Sequence, residues 1–197
     1  EVAGVDLPHV LYGLHETLSF WHQDVLLVGG SNSAVEAALD LYRAGARVTV
    51  VHREAEIRPS VKYWLKPDFQ NRVKEGSIRL LLNAEVKEIR PREVVVEQAG
   101  NEGSASRLGL PADFVILYVG YRAVDELLRK AGARFGGPDD APVLSESYET
   151  TTPGLFVAGS AGFGTDTRTV FIENGREHVK VAVGEIERRL EPLNEPV

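Results

Sequence analysis

The stretch VLLVGGSNSAVEAAL, residues 25–39, decides how the chain is read. A four-residue apolar run stops at two glycines, and small or apolar residues then recur at helical spacing: Ala34, Ala37, Ala38, Leu41 and Ala44. Apolar residues at consecutive positions describe a strand with both faces covered, as parallel strands are. Gly45 suits a helix C-terminus, and ARVTVVHR (46–53) reads as the next strand. Residues 24–53 are therefore expected to form one βαβ unit with a right-handed crossover.

The turn itself is close to a phosphate-binding pattern. In G-x-G-x-x-G/A turns the first glycine permits the tight turn and the second lets backbone approach a pyrophosphate. The third small residue allows close packing of helix on strand. Gly29 and Ala34 meet the first and third roles, but Ser31 stands at the second. Its hydroxyl can donate to a phosphate oxygen, and the N–H groups at the helix start favour an anion. The candidate contacts are Gly29, Gly30, Ser31, Asn32, Ser33 and Ala34. Taken alone, the turn also reads as a strand-to-helix connection without ligand, because the fold supports many functions.

The end of the second strand discriminates further. NAD sites place Asp or Glu there to accept from the ribose 2′-hydroxyl. Here VVHREAEIRPS puts His52 and Arg53 at that point and Arg58 five residues on, with Glu54 and Glu56 past the strand end. Two guanidinium forks suit a 2′-phosphate. A solvated basic turn is the alternative, and coupling to the glycine turn favours phosphate recognition.

Composition narrows the classes. The 197 residues carry 29 acids against 22 bases, a net charge of −7, which argues against a nucleic-acid surface. No apolar run reaches the roughly 18 residues of a membrane span, and the start EVAGVDLPHV is no signal peptide, so a cytoplasmic location is expected. Cysteine is absent, which removes disulfides, thiolate nucleophiles and thiolate metal sites. The histidines at 9, 15, 22, 52 and 178 lack zinc-ligand spacing, so no metal and no catalytic residue is assigned within this chain. No serine lies in G-x-S-x-G. Methionine is absent even at position 1, which predicts a processed chain or a piece of a longer one.

The remaining segments extend the pattern. Residues 1–22 read as an irregular lead-in, 60–74 as a helix with Pro67 a kink or break, and SIRLLLN (77–83) as a strand. Residues 84–110 alternate and carry turn signals, predicting an antiparallel meander. PADFVILYVGY (111–121) is an apolar strand ending at Gly120, and 124–131 is a helix. LFVAG (155–159) reads as a buried strand, followed by a glycine-rich turn and a long helix from about Thr169 to Leu190. Lys62, Tyr63 and Trp64 have two readings: lining a nicotinamide or substrate, or Trp64 in the core with Lys62 solvated. The expected fold is α/β: a Rossmann-like parallel sheet with a three-stranded antiparallel meander, in three layers.

The combination GGSNSAVEAALDLYRAGARVTVVHREAEIR resembles the NADPH-binding domain of the low-molecular-weight thioredoxin reductase family. The resemblance implies that Gly29, Gly30, Ser33 and Ala34 meet the pyrophosphate and that His52, Arg53 and Arg58 hold the 2′-phosphate. TTPGLFVAGSAGFGTDTRTVFIENGREH resembles that family's flavin segment, which implies FAD contacts at Gly159, Ser160, Thr169 and Val170. Ser160 stands where the family has an Asp on the ribityl chain. Asn174 also has a capping reading there, and Phe171 a core reading. Gly120 is counted with the cofactor-binding candidates. GGSNSA, SVKYWLKPD, KEGSI and FIENGREH resemble the bacillithiol-disulfide reductase branch, whose members lack the CxxC dithiol.

The resemblance covers nearly the whole chain and implies three segments. These are an interdomain lead-in (1–22), an NADPH-binding domain (23–121) and the C-terminal part of a split FAD domain (122–197). The first FAD half would be missing, leaving the FAD site incomplete. The implied activity passes hydride from NADPH to FAD and on to a small-molecule disulfide, in a homodimer when intact. A ferredoxin–NADP reductase of the same type and a non-catalytic NADPH-binding module are the alternatives.

Overall fold

The computed structural model describes every residue except 1, 15, 101–103, 137–138, 166–169 and 191–197. The chain divides into two compact units, Glu1–Val119 and Gly120–Val197.

In the first unit the elements are β1 (Val10–Leu11), β2 (Asp24–Val28), α1 (Asn32–Arg43), β3 (Arg47–Val51), α2 (Lys66–Lys74) and β4 (Ile78–Leu81). Then come β5 (Ala84–Ile89), β6 (Glu93–Ala99), β7 (Ala105–Pro111) and β8 (Phe114–Leu117). Five strands form a parallel sheet in the order β1-β8-β2-β3-β4. The meander β5-β6-β7 is a separate antiparallel sheet.

Strand β2 shows why its residues are apolar in succession. Val25 and Leu27 pack on one side with Val35, Ala38 and Leu41 of α1 and Phe69 of α2. Leu26 packs on the other with Ile89, Val94, Val96 and Leu110 of the meander. Helices, parallel sheet and meander are thus the expected three layers, with a dry core on each side of the sheet. Each fully buried Leu or Val stabilises this arrangement by about 1.5–3 kcal/mol.

Two local expectations change. Within residues 1–22, Val10 and Leu11 form the sheet edge beside β8, and Phe20 is buried edge-on to Phe114 at 5.0 Å. Helix α2 starts only at Lys66, with Pro67 in its first turn rather than kinking a longer helix. Proline has no N–H to donate, and the first turn is where none is needed.

The second unit contains α3 (Glu126–Lys130), the short antiparallel pair β9 (Phe135–Gly136) and β10 (Ala141–Pro142), and α4 (Ile172–Leu190). LFVAG forms no strand: only Phe156 makes a bridge, to Glu149, and Gly159–Gly162 is a 3-10 turn. Its apolar residues meet a looped segment that supplies isolated partners, Val157 N to Tyr148 O and Thr150 N to Leu155 O. Helix α4 is tied to that loop by Arg189, whose Nη1 lies 2.7 Å from Glu149 Oε1. Among the described residues no helix is long and apolar enough to cross a membrane.

Candidate functional site

The chain leaves β2 toward β3 on one side and reaches β8 on the other, so the crevice beyond the carboxyl ends of β2 and β8 is the switch point of the sheet. Ligands of open α/β sheets bind there. The glycine turn sits at that point. Gly29 has φ +144°, and a Cβ there would lie 2.7 Å from the Tyr118 carbonyl oxygen and 3.3 Å from Ala34 Cβ. Gly30 is buried, and a Cβ on it would stand 2.5 Å from Cε1 and Cγ of His52. Glycine is needed at 30 because a ring already fills the space.

Ser31 is the residue before α1, in extended backbone (φ −102°, ψ −175°), and its side chain makes no capping bond. The first-turn N–H groups of Asn32, Ser33 and Ala34 therefore do not spend themselves on a serine hydroxyl. They point with the positive end of the helix dipole into the crevice.

Asn32 braces the rim. Its Nδ2 donates to Ser60 O at 3.2 Å, and its Oδ1 accepts from Lys62 N at 2.8 Å. Arg58 N donates to Gly30 O at 3.1 Å. Segment 58–62 is thereby fastened to the turn and to the helix start. Lys62 Nζ pairs with Glu36 at 2.7 Å on a side chain that is 41 % exposed. Trp64 is 58 % exposed, which rules out its core reading.

His52 is 5 % exposed, and its main chain is pinned on both sides, N to Leu81 O (2.8 Å) and O to Ala84 N (2.9 Å). Its Nε2 is buried without a hydrogen-bond partner, 3.7 Å from Glu54 Oε2. Burial pushes the imidazole below its ordinary pKa, against the pull of Glu54 and with the help of Arg58 and Arg53. The ring is neutral at pH 7. Arg58 Nη2 lies 3.2 Å from Glu54 Oε1, and that bond is the main reason the Glu54 carboxyl sits below its usual range. Arg53 is exposed and forms no ion pair with any described residue.

In the second unit an open groove of about 660 Å³ is lined by Gly159, Ser160, Val170, Phe171, Ile172 and Arg176, among others. Gly159 has φ +73°, and its N–H donates to His178 Nδ1 at 3.3 Å. His178 is buried against the rings of Tyr148 and Phe163, 4.4 and 5.4 Å away. Asn174 Oδ1 accepts from Phe171 N at 2.7 Å, whereas Phe171 is 64 % exposed rather than core. Gly120 (φ +109°) is exposed and is not part of the groove lining. Thr169 lies outside the described residues.

The sequence-predicted residues Gly29–Ala34, His52 and Arg58 thus come together, and Gly159, Ser160 and Val170 share a groove. Sequence reasoning missed Tyr118, for which no pattern pointed to Gly29. It also passed over Glu54 as the partner of Arg58, because opposite charges four residues apart are a readable signal on a helix and residues 52–58 form none.

Residues 1–159 match the family described as pyridine nucleotide-disulphide oxidoreductase. The chain belongs to that family. Bacilliredoxin reductase Bdr of Bacillus subtilis is 37 % identical over 189 residues, which cover 95 % of this chain and 57 % of that protein. Among solved structures, bacillithiol disulfide reductase Bdr from Staphylococcus aureus superimposes with a TM-score of 0.85 at 34 % identity, covering 96 % of this chain and 58 % of that one. Its Bacillus cereus counterpart gives 0.84 at 35 %, covering 96 % and 57 %. The expected likeness to bacillithiol disulfide reductases is borne out. The chain spans somewhat under three-fifths of the length of these relatives.

Proposed function

We propose that this chain forms the NADPH-binding region and part of the flavin site of an FAD-dependent oxidoreductase that reduces a low-molecular-weight disulfide, one like bacillithiol disulfide. The observation that carries the reading is the uncapped start of α1 at the switch point of the sheet, rimmed by Arg58. The crevice fits a dinucleotide: the N–H groups of Asn32, Ser33 and Ala34 suit a pyrophosphate, and Arg53 with Arg58 suits a 2′-phosphate. Gly159, Ser160 and Val170 offer backbone and small side chains to a flavin, a site the first FAD half would complete.

When bound, NADPH and FAD would supply hydride transfer, and the two electrons with two protons, one from the hydride and one from solvent, would reduce the disulfide to two thiols. This chain's own residues bind and orient. His52, neutral and buried, supports the turn from beneath, and Asn32 holds the 58–62 rim against it. With no cysteine in the chain, any protein thiolate that exchanges with the disulfide comes from elsewhere. A cytoplasmic location and a homodimer of the intact protein accompany the reading.

Replacing Arg53 and Arg58 together by Ala should erase a preference for NADP⁺ over NAD⁺ in titration calorimetry. Unchanged discrimination would count decisively against their assignment. A ferredoxin–NADP reductase of Ignicoccus hospitalis is 28 % identical over 161 residues, which keeps a second acceptor in view. Turnover of the intact protein with ferredoxin but not with bacillithiol disulfide would select it.

A further inference from the structure

The pocket proposed for the 2′-phosphate already holds an anion of its own. Glu54 reaches two groups at once: Oε1 is 3.2 Å from Arg58 Nη2, and Oε2 is 3.7 Å from the orphaned His52 Nε2. Neither member of the ion pair hangs on a loose segment. Asn83 N donates to the Glu54 carbonyl at 3.0 Å, and Arg58 N donates to Gly30 O at 3.1 Å. The two side chains are 43 % and 30 % exposed, so an entering ligand can meet both.

We propose that Glu54 is a specificity-determining residue, an internal counter-ion that occupies Arg58 in place of a 2′-phosphate and offers a carboxylate to an adenosine ribose that lacks one. The inference rests on the dinucleotide reading of the crevice and deepens it. A 2′-phosphate must draw Arg58 away from Glu54 and then sit beside a carboxylate, and like charges at such range oppose binding. A 2′-hydroxyl has the opposite experience. It can donate to the Glu54 carboxylate while the Arg58 pair stays intact, which is how an acid after the second strand selects NAD. The lowered pKa of Glu54 keeps it ionised throughout the neutral range. Arg53, exposed and without an ion pair among the described residues, is left as the guanidinium that needs no release. The pocket therefore takes both adenine dinucleotides, with a narrower margin between them than two arginines alone would set.

The test is titration calorimetry of the full 197-residue chain with NADP⁺ and with NAD⁺, for the wild type, Glu54→Gln and Glu56→Gln. Glu56→Gln removes the same charge two residues away, on a side chain outside the ion pair. Glu54→Gln should bind NADP⁺ roughly fivefold tighter, the effect of one unit-charge repulsion near 4 Å at water-like screening. It should bind NAD⁺ about threefold weaker, through loss of a charge-assisted hydrogen bond. Glu56→Gln should move neither affinity beyond about twofold. The proposal is overturned if Glu54→Gln shifts both nucleotides by the same factor, if it shifts neither, or if Glu56→Gln reproduces its effect. Those results leave the dinucleotide reading standing. A wild-type chain that binds neither nucleotide overturns that reading and this proposal together.

Discussion

The packing of Gly30 on His52 makes a double-mutant prediction with a definite sign. Gly30 does not have a left-handed φ, so Ala there costs nothing in backbone strain. The whole cost is overlap of the new methyl with the imidazole, whose Cε1 and Cγ stand 2.5 Å from where the Cβ must go. The ring cannot retreat, because the His52 main chain is hydrogen-bonded to both Leu81 and Ala84. Overpacking of this kind costs about 1–3 kcal/mol. Once His52→Ala has removed the ring, the same glycine-to-alanine change is free of the clash. It should then stabilise by about 0.4–1 kcal/mol, because it restricts the unfolded chain. The unfolded-chain term is common to both backgrounds and cancels, so the coupling energy is the overlap itself, about 1–3 kcal/mol, above the few tenths expected of independent sites. Urea unfolding followed by tryptophan fluorescence measures it. Both tryptophans, Trp21 and Trp64, belong to the first unit, so the signal reports the unit that contains the site. If Gly30→Ala costs the same about 2 kcal/mol with and without His52, the ring is not what demands glycine.

Asn32→Ala removes two hydrogen bonds to segment 60–62 and should lower stability by about 1–2 kcal/mol. Its clearest mark is faster amide exchange at Lys62, whose N–H loses its acceptor. His52 has a folded pKa below its unfolded value near 6.5, so protons favour the unfolded chain. Stability at this position is complete above pH 6.5 and declines as pH falls below it, and His52→Gln should flatten that part of the pH–stability curve. In the second unit, Arg189 is the largest reason that Glu149 is held near pKa 2, and it contributes with Arg188 to holding Glu185 near the same value. The Arg189–Glu149 tie of α4 to its loop is thus strongest above about pH 4.5 and weakens toward pH 2. Arg189→Met should raise the Glu149 midpoint toward 4.5 in a carboxyl NMR titration, and an unmoved midpoint would refute the pairing.

What could be read from the sequence was what local chemistry controls. The run Val25–Leu27 announced a strand covered on both faces, and alternation in 84–110 announced a meander, because burial pattern and strand period coincide there. The helical spacing read from Ser33 to Ala44 placed the first helix to within one residue at each end, Asn32–Arg43. LFVAG misled for the converse reason: apolar β-forming residues make a strand only where a neighbouring strand runs beside them, and here one bridge is all they find. Pro67 misled because its effect depends on its distance from the helix start, a quantity set by the 58–65 turn. At the site, the residue types at 29–34, 52 and 58 were visible, but their division of labour was not. That His52 lies beneath Gly30, and that Glu54 reaches Arg58, depends on the path between β3 and the glycine turn, which no spacing encodes.

The imidazole under Gly30 also limits how such a protein can be altered. Cofactor preference is commonly treated as residing in a few interchangeable positions after the second strand, open to transplantation from a relative. Here the first of those positions is a structural tread for the anion turn. A transplanted segment that brings a larger or smaller residue to 52 would raise or drop the loop at 29–31 along with the ribose pocket. Evolution and engineering alike are confined to exchanging residues 53–58 around a fixed 52, or to changing 30 and 52 in a single step.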